Sequence, residues 1–283
     1  MMKSRKKIVL IVALMVVLII GWIIWGNTAL MISEFTIKDE KIPGSFNGFR
    51  IAQISDLHNA EFGENNEKLI ELLEKCEPDI ILLTGDLVDS RNTDIEIGIS
   101  FAEKAVMIAP TYYVTGNHEA RISEYEEFIE GITSAGVRVL ENESVMLEQS
   151  GESIIVAGVA DPSFITDYLF GDTESVTKEI LSEMNVDNET YTILLAHRPE
   201  LFDVYVESNV DLVFSGHAHG GQFRLPFIGG VVAPNQGLFP VYDAGLYTKD
   251  TTSMIVSRGI GNSLFPFRVN NRPELVVAEL SAE

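Results

Sequence analysis

The chain contains 283 residues, of which 46% are hydrophobic, and it carries a formal net charge of -22. This length predicts one large domain or two small ones, and the apolar content is sufficient for a sizeable core. No nucleic acid is expected as a partner, because an acidic surface repels phosphates and the sequence has no basic stripe with interleaved aromatics. The single cysteine, Cys76, excludes an intrachain disulfide and a thiolate metal cluster. We interpret Cys76 as a small buried apolar residue.

Residues 1–26 are predicted to be a basic cytoplasmic end followed by a transmembrane helix. An uncharged apolar run of 18 residues extends from Ile8 to Trp25, and at about 1.5 Å per residue it just crosses the hydrocarbon core of a bilayer. Four bases precede the run, and the first charge after it is Glu34. This asymmetry predicts a single-pass protein of the cell membrane whose remaining chain is extracytoplasmic. A cleaved signal peptide is the alternative, but the run is long for one and no clear Ala-x-Ala site follows it.

The next part of the chain is predicted to alternate between strands and helices. Residues 27–48 are rich in turn residues and are expected to be a polar connector, and residues 49–283 are expected to form one domain. Apolar periodicity predicts strands over 50–55, 80–84 and 111–115 and helices over 65–76, 94–109 and 123–135. The motif Ser123-x-x-Glu126 predicts a capping box at the start of the last of these helices. Helices that alternate with continuously apolar strands are typical of a mostly parallel, buried sheet.

The second half is predicted to be richer in strands. Further strands are expected over 137–140, 145–149, 153–159, 192–196, 211–215, 253–257 and 274–280, of which the first three form a meander or hairpin. Residues 220–272 are rich in Gly, Pro and Asn and are expected to form long ordered loops. This order of elements predicts an α/β fold with two sheets packed face to face and helices outside them.

All five histidines fall in four short motifs, each of which follows an apolar, strand-like run. The motifs are Asp56-Leu57-His58, Gly116-Asn117-His118-Glu119, His197-Arg198-Pro199 and Gly216-His217-Ala218-His219. Asp86 occupies the equivalent place in a fifth motif, Leu83-Thr84-Gly85-Asp86. Since ligands bind beyond the carboxyl ends of the strands in open α/β sheets, these imidazole and carboxylate groups are predicted to gather into a divalent-metal site.

Seven of these side chains are candidate metal ligands: Asp56, His58, Asp86, Asn117, His197, His217 and His219. One metal with an open coordination position needs three or four protein ligands, so seven suit two metals with one shared carboxylate. Two metals about 3.5–4 Å apart form a clamp for in-line displacement at phosphorus. His118 is surplus to this count and is predicted to act as an acid or a charge stabiliser. Oxygen and imidazole ligands suit Mn, Zn and Fe alike, so the identity of the two divalent metal ions stays open.

The same motifs, in this order and spacing, resemble the calcineurin-like metallophosphoesterases. Asp-x-His, Gly-Asp-x-x-Asp, Gly-Asn-His-Glu, a later lone His and Gly-His-x-His cover residues 51–221. The ending Gly-His-Ala-His-Gly-Gly-Gln and the segments 234–240, 257–259 and 270–273 resemble the membrane-associated bacterial branch of this family. That branch includes YkuE-like phosphodiesterases and relatives that hydrolyse UDP-2,3-diacylglucosamine. The resemblance implies a four-layer αββα sandwich with two metals at the edge of the sheets.

The resemblance also implies a role for each residue of the motifs. Asp56, His58 and His219 match the ligands of the first metal, and Asn117, His197 and His217 match those of the second. Asp86 matches the carboxylate that bridges the two metals, and His118 matches the group that assists the leaving oxygen. Asp86 and His118 are therefore the predicted catalytic residues.

These expectations combine into a membrane-anchored, dinuclear metal-dependent phosphodiesterase, in which a metal-bridging hydroxide attacks phosphorus in line. A lipid-linked or envelope phosphoester is the favoured substrate, because the anchor holds the site near the bilayer. A phosphomonoesterase or protein phosphatase on the same metals is the enzymatic alternative. A metal-stabilised binding module is the non-enzymatic alternative, which the presence of all eight groups disfavours.

Weaker candidates lie outside the metal motifs. Arg258 is predicted to hold the charged substrate, and a structural salt bridge is its alternative role. Asp161-Pro162 is interpreted as a turn rather than as part of the substrate site. Apolar residues in 225–228, 238–239 and 264–265 either form a mouth for a lipid tail or pack as ordinary loops.

Overall fold

The computed structural model describes residues 2–166, 172–184 and 186–282. Its helices are α1 Met2–Thr28, α2 Glu67–Lys75, α3 Ile95–Ala105, α4 Tyr125–Ala135, α5 Thr173–Met184 and α6 Phe202–Glu207. Its longer strands are β1 Met31–Asp39, β2 Arg50–Ile54, β3 Ile80–Thr84, β4 Thr111–Val114, β6 Glu143–Gln149, β7 Glu152–Val159, β8 Thr192–Ala196, β9 Leu212–Ser215, β14 Gly245–Lys249, β15 Thr252–Val256 and β16 Glu274–Ala282. Two-residue strands are β5 Arg138–Val139, β10 Arg224–Leu225, β11 Gly229–Gly230, β12 Val232–Ala233 and β13 Gly237–Leu238.

Two six-stranded sheets form the body of the domain, in the orders β1-β16-β2-β3-β4-β5 and β14-β15-β9-β8-β7-β6. In the first sheet only the β16–β2 pair is antiparallel. In the second, the hairpins β14–β15 and β6–β7 are antiparallel and the strands between them are parallel. The expected mostly parallel arrangement is confirmed, as is the hairpin of the strands expected over 145–149 and 153–159. The strand expected over 137–140 is not part of that meander, because β5 pairs in parallel with β4 in the first sheet.

The layers follow from alternation of apolar side chains along the strands. In β3, Ile80 and Leu82 join a core between the two sheets, while Ile81 and Leu83 join a core under α2, α3 and α4. A third core lies between the other face of the second sheet and the helices α5 and α6. Because each sheet buries both faces, central strands such as β3 and β8 are buried along their whole length and almost entirely apolar. The predicted four-layer αββα sandwich is confirmed.

Three local features differ from the expectations. The segment 27–48, expected to be a connector, contains β1, which pairs in parallel with β16 from Met31↔Glu274 to Asp39↔Ala282. Its alternating pattern directs Phe35 and Ile37 toward the core between the sheets. The capping box is not formed, because α4 begins at Tyr125, two residues later than expected, with Glu124 as N-cap and no side-chain cap. The helices α5 and α6 were not predicted, although the apolar residues of α5 recur at helical spacing and join the third core: Val176, Ile180, Leu181 and Met184.

The amino-terminal helix α1 is long and apolar enough over Arg5–Thr28 to cross a membrane, and its most apolar window is not buried against the rest of the chain. It meets the domain at Asn27, whose side-chain amide donates to the Arg268 carbonyl at 2.9 Å. The Arg268 amide donates in return to Asn27 Oδ1 at 2.7 Å. This reciprocal pair fixes the end of α1 to the loop that precedes β16.

Candidate metal centre

The predicted ligands come together where parallel strands of both sheets end. Asp56 and His58 follow β2, Asp86 follows β3, and the other motifs follow β4, β8 and β9. Gln53 in β2 joins the sheets at this edge, because its side-chain amide donates to Thr84 Oγ1 and to the Ser215 carbonyl, each at 2.9 Å. Since carboxyl ends of parallel strands share an edge, motifs far apart in sequence converge here.

The turns that carry the ligands have an unusual backbone. Asp56, His58, Asp86, His217 and His219 all have positive φ angles, between 46° and 61°. Few residues other than glycine adopt this conformation, and clusters of it are typical of functional sites. Hydrogen bonds hold the turns against one another, from the Asp56 amide to the Gly85 carbonyl and from the His58 amide to the Asp86 carbonyl, both at 3.0 Å.

A glycine is required at Gly116 for a different reason. A Cβ at that position would overlap Asp86 Oδ1 and lie 2.5 Å from the Asp86 backbone nitrogen. The motif Gly-Asn-His therefore needs glycine because the β3 and β4 turns approach each other closely.

One group of three ligands comprises Asp56, His58 and His219. His58 Nε2 and His219 Nε2 lie 3.2 Å apart, and they lie 3.9 Å and 3.4 Å from Asp56 Oδ1. All three side chains are almost completely buried. Their heteroatoms are close enough together to hold one cation.

The second group comprises Asp86, His197 and His217. His197 Nε2 lies 3.2 Å from Asp86 Oδ2 and 3.2 Å from His217 Nδ1. The same Asp86 oxygen lies 3.5 Å from His58 Nε2 of the first group. Asp86 is therefore the carboxylate that stands between the two groups.

The donor set fits divalent cations. Asn117 Oδ1 is buried and has no hydrogen-bond partner among the described residues, which leaves its lone pairs for a cation. The imidazole nitrogens and carboxylate oxygens that face one another concentrate further acceptors in a buried site. Nitrogen and oxygen donors of this kind suit Mn, Zn and Fe.

The electrostatics keep His58, His217 and Asp86 in metal-binding forms, whereas His197 is protonated and would release a proton on binding a cation. Burial lowers the pKa of His58 to about 3 and that of His217 to about 3, so these imidazoles are neutral. Burial opposes ionisation of Asp86, but the neighbouring His197 and His118 bring its pKa well below the usual range. Burial would also lower the pKa of His197, yet Asp86 raises it to about 10. Asp86 is thus an ionised carboxylate, the form that a carboxylate needs in order to bind a cation.

His118 lies beside both groups but is held differently. Its backbone amide donates to Asp86 Oδ1 at 2.8 Å, and its ring packs edge-on against His58 with centroids 4.4 Å apart. The Ser90 amide donates to His118 Nδ1 at 3.0 Å, which places the proton of the neutral ring on Nε2. Burial lowers the pKa of His118, but Asp86 and Asp89 outweigh it and raise the pKa overall.

Two supporting residues were missed by the sequence reasoning. Glu119 accepts hydrogen bonds from the Asp86 and Gly116 amides at 3.0 and 2.9 Å, and from the Val88 amide at 3.2 Å. Asn235 Oδ1 lies 3.0 Å from His217 Nε2, which orients Nδ1 of that ring toward the second group. Glu119 ends the Gly-Asn-His-Glu motif and Asn235 lies in the segment 234–240, so both stood in motifs without an assigned role.

A cavity of about 300 Å³ opens beside the metal groups. Its polar wall contains Asn117, His118, His217 and His219, and its cationic side chains are Arg91 and Arg121. The opposite wall is apolar and includes Val232, Leu264 and Phe265. This cavity offers a cationic and an apolar contact next to the same metal groups.

Arg258, the predicted substrate-binding residue, does not line this cavity. Its Nε lies 3.4 Å from Glu274 Oε1, and its amide donates to Glu274 Oε2 at 2.9 Å. The geometry corresponds to the salt-bridge alternative, and Arg91 and Arg121 occupy the place expected for Arg258. Asp161 forms the predicted turn by accepting from the Ser163 amide, and it also pairs with buried Arg198 at 2.8 Å.

Comparison with known proteins agrees with this geometry. Residues 49–221 match the model of the calcineurin-like phosphoesterase family. The chain belongs to this family. It is a metallophosphoesterase-type hydrolase, as expected.

Three relatives extend over most of this calcineurin-like phosphoesterase. It is 30% identical over 254 residues to the uncharacterized metallophosphoesterase YkuE of Bacillus subtilis. This match covers 88% of this chain and 85% of that protein. It is 29% identical over 253 residues to the phosphodiesterase YaeI of Escherichia coli, covering 86% of this chain and 84% of that protein. A Danio rerio protein named transmembrane protein with metallophosphoesterase domain is 27% identical over 284 residues, or 96% of this chain and 62% of that protein.

Proposed function

We propose that this protein is a membrane-anchored phosphodiesterase that uses two divalent metal ions to hydrolyse a lipid-linked or envelope phosphodiester outside the cytoplasm. The observation that carries the proposal is the position of Asp86 Oδ2, 3.5 Å from His58 Nε2 and 3.2 Å from His197 Nε2. A carboxylate between two ligand groups is suited to share its oxygens between two cations and to offset their repulsion.

The remaining ligands divide between the two cations. Asp56, His58 and His219 would hold one, and Asn117, His197 and His217 the other, with Asp86 between them. When bound, two such cations lower the pKa of water and neutralise charge on phosphoryl oxygens. The positive-φ turns and the Glu119 hydrogen bonds keep the ligand side chains in place before any substrate arrives.

His118 supplies the proton that the leaving oxygen needs. Its ring borders the cavity, and Asp86 and Asp89 raise its pKa, which favours the imidazolium form that a general acid needs. General acid catalysis of this kind contributes roughly 10²–10⁴ in rate. Arg91 and Arg121 border the same cavity and would hold the negatively charged diester by charge-assisted hydrogen bonds.

The lipid-linked substrate class rests on α1 and on the apolar wall of the cavity. The four bases before the apolar run favour a cytoplasmic amino terminus. The domain then lies outside the cytoplasm and close to the membrane. A nucleotide-linked diacyl sugar such as UDP-2,3-diacylglucosamine combines a diester, which suits the arginines, with acyl chains, which suit Leu264 and Phe265.

The test is metal analysis of the full-length chain in detergent, followed by hydrolysis of three substrate types. We expect two metal ions per chain and a preference for a nucleotide-sugar lipid over a bis-aryl phosphodiester, with an aryl monoester the poorest substrate. A clear preference for the monoester would replace the proposal by the phosphomonoesterase or protein phosphatase alternative. One tightly bound metal per active chain would contradict the dinuclear site.

A further inference from the structure

We propose that the domain rests on the bilayer through a membrane-contact face, formed by the end of α1 at Trp22 and Trp25 and by the loop tips 225–228, 238–241 and 264–267. This inference rests on the membrane anchorage of the proposed function and goes beyond it. A helix can tether a domain at a distance, whereas a membrane-contact face places the domain directly against lipid and fixes its orientation.

The loop tips expose an unusual amount of apolar surface. Phe227 is fully exposed, and Leu264 and Leu238 are 80% and 71% exposed. Nine of the fifteen exposed large apolar side chains that the described part of the chain has after α1 lie in these three short tips. Clustered apolar exposure of this kind marks a surface that contacts another apolar phase.

The loop tips are continuous with the end of α1. A hollow of about 180 Å³ lies between the helix end and the domain, and its lining includes Trp22, Trp25, Arg258 and Asn270. Arg258 and Asn270 also line an adjoining hollow of about 660 Å³, together with Phe227, Ile228 and Val241. Two of the tips therefore lie beside the point at which α1 would leave the membrane.

The third tip, 264–267, is also connected to the end of α1. Phe223 packs against Phe265 and Phe267, with ring centroids 5.0 and 5.6 Å apart. Arg268 follows Phe267 in the chain, and its backbone forms the two reciprocal hydrogen bonds with the Asn27 side chain at the end of α1. A bilayer that surrounds α1 up to its tryptophans would consequently meet all three tips.

The charges around this face also favour a membrane surface. The chain after residue 26 carries 16 of the 20 bases against all 42 acids, a net of -26, yet arginines collect here. The Arg272 guanidinium lies 4.8 Å from the centroid of the Trp25 ring and donates to the carbonyls of Ala29 and Leu30 rather than to a carboxylate. Tryptophan and arginine at the end of an apolar helix are typical of the headgroup region, and arginine favours anionic lipids there.

The face connects to the metal centre through Leu264 and Phe265. Both belong to the third tip, and both line the cavity that His118 and His219 border. A lipid-linked diester held in the outer leaflet would then reach the metals past these two side chains without leaving the bilayer. The partner of this face is accordingly the lipid bilayer itself, and not a second protein.

The test attaches an environment-sensitive fluorophore to single cysteines in the full-length chain, reconstituted in phosphatidylcholine–phosphatidylglycerol vesicles. Phe227→Cys and Val241→Cys probe two of the tips, neither of which lines the catalytic cavity. Met107→Cys is the matched control, because Met107 is 85% exposed and lies before β4, at the edge of the sheet opposite the metal motifs. The native Cys76 is buried, and the labelled parent gives its background.

We expect blue-shifted emission and strong quenching by nitroxide-labelled lipid at positions 227 and 241, and water-like emission at 107. Water-like, unquenched emission at both tips would overturn the membrane-contact face. A blue shift without quenching by lipid would indicate a second protein copy on the tips and would overturn it equally. Release of the chain by carbonate washing would instead overturn the anchorage, and hydrolysis of a soluble bis-aryl diester by the labelled chains tests the metal centre separately.

Discussion

The metal centre and the loop tips beside it depart from ordinary protein surfaces in opposite ways. The metal centre buries carboxylates, imidazoles and an amide oxygen that has no hydrogen-bond partner within the described part of the chain. The loop tips expose phenylalanine and leucine to solvent. Buried unpaired polar groups and exposed apolar clusters both cost free energy in an isolated domain. Each region therefore calls for a partner of matching chemistry, which we propose to be a pair of cations in one case and lipid in the other.

The comparison predicts that the metal centre is the more sensitive region to single substitutions. We expect the largest effect from Asp86→Asn, which should lower occupancy at both metal positions and abolish hydrolysis. Both carboxylate oxygens of Asp86 are in use, because Oδ2 faces both ligand groups and Oδ1 accepts a hydrogen bond from the His118 backbone amide. In the asparagine variant, an NH₂ group would replace one of these two oxygens. Metal content and turnover of the purified variant provide the measurement.

Asp203→Asn is the matched control for this change, because the Asp203 side chain is exposed and pairs only with a surface lysine, Lys249, in the described contacts. It should keep both metals and full turnover. If Asp86→Asn retained two metals and near-normal turnover, Asp86 would not be the carboxylate that the two cations share.

The architecture was largely predictable, because apolar patterns reflect burial on both faces of a sheet. The strands 80–84 and 192–196 agree with the structure to the residue, since each is a continuous apolar run with clear ends. The strand β1 was not foreseen, because at the edge of the sheet it alternates exposed charged residues such as Glu34 and Lys38 with partly buried ones. Its pairing with β16, more than 200 residues away, is a tertiary contact that local sequence does not encode.

The second prediction separates proton donation from metal binding at His118. His118→Ala should keep both metals while turnover falls by roughly 10²–10⁴, the contribution of general acid catalysis. The loss should shrink for leaving groups such as nitrophenolate, which depart without a proton. The experiment measures metal content and kcat over substrates with leaving groups of graded pKa. An equal loss of kcat across the series would contradict the acid role. A loss of metal from the variant would indicate that His118 is a metal ligand.

The third prediction concerns Glu119, which acts through the turns that it holds. Glu119→Gln places an amide group against backbone N–H donors of Asp86, Val88 and Gly116. Residues that support ligands in this way typically contribute about 10–100-fold in metal affinity. We expect a loss in that range by metal titration, with turnover partly restored at saturating metal.

Glu127→Gln is the control for this change, because Glu127 is exposed in the first turn of α4. It should leave the metal titration unaltered. Unchanged metal affinity in Glu119→Gln would show that the turns hold their geometry without the carboxylate.

The ligand positions were predictable for a different reason from that of the strands. Each ligand follows a strand end within a short motif, so its place along the sequence already specifies its place at the sheet edge. No such motif at a strand end specifies the contacts of three arginines, Arg91, Arg121 and Arg258. Their partners are set by loops that fold back from elsewhere in the chain, as Glu274 does for Arg258.

The smallest expected effect provides the sharpest contrast between the two regions. Arg258→Gln should leave hydrolysis of a soluble bis-aryl diester unchanged, because Arg258 pairs with Glu274 outside the catalytic cavity. A partly exposed ion pair of this kind contributes about 1 kcal/mol or less to stability.

Arg121→Gln, which changes an arginine that lines the cavity, should raise KM about tenfold, equivalent to roughly 1.4 kcal/mol. Steady-state kinetics of the two variants side by side give the measurement. A larger rise in KM for Arg258→Gln than for Arg121→Gln would return Arg258 to the substrate site and place the diester nearer to the end of α1.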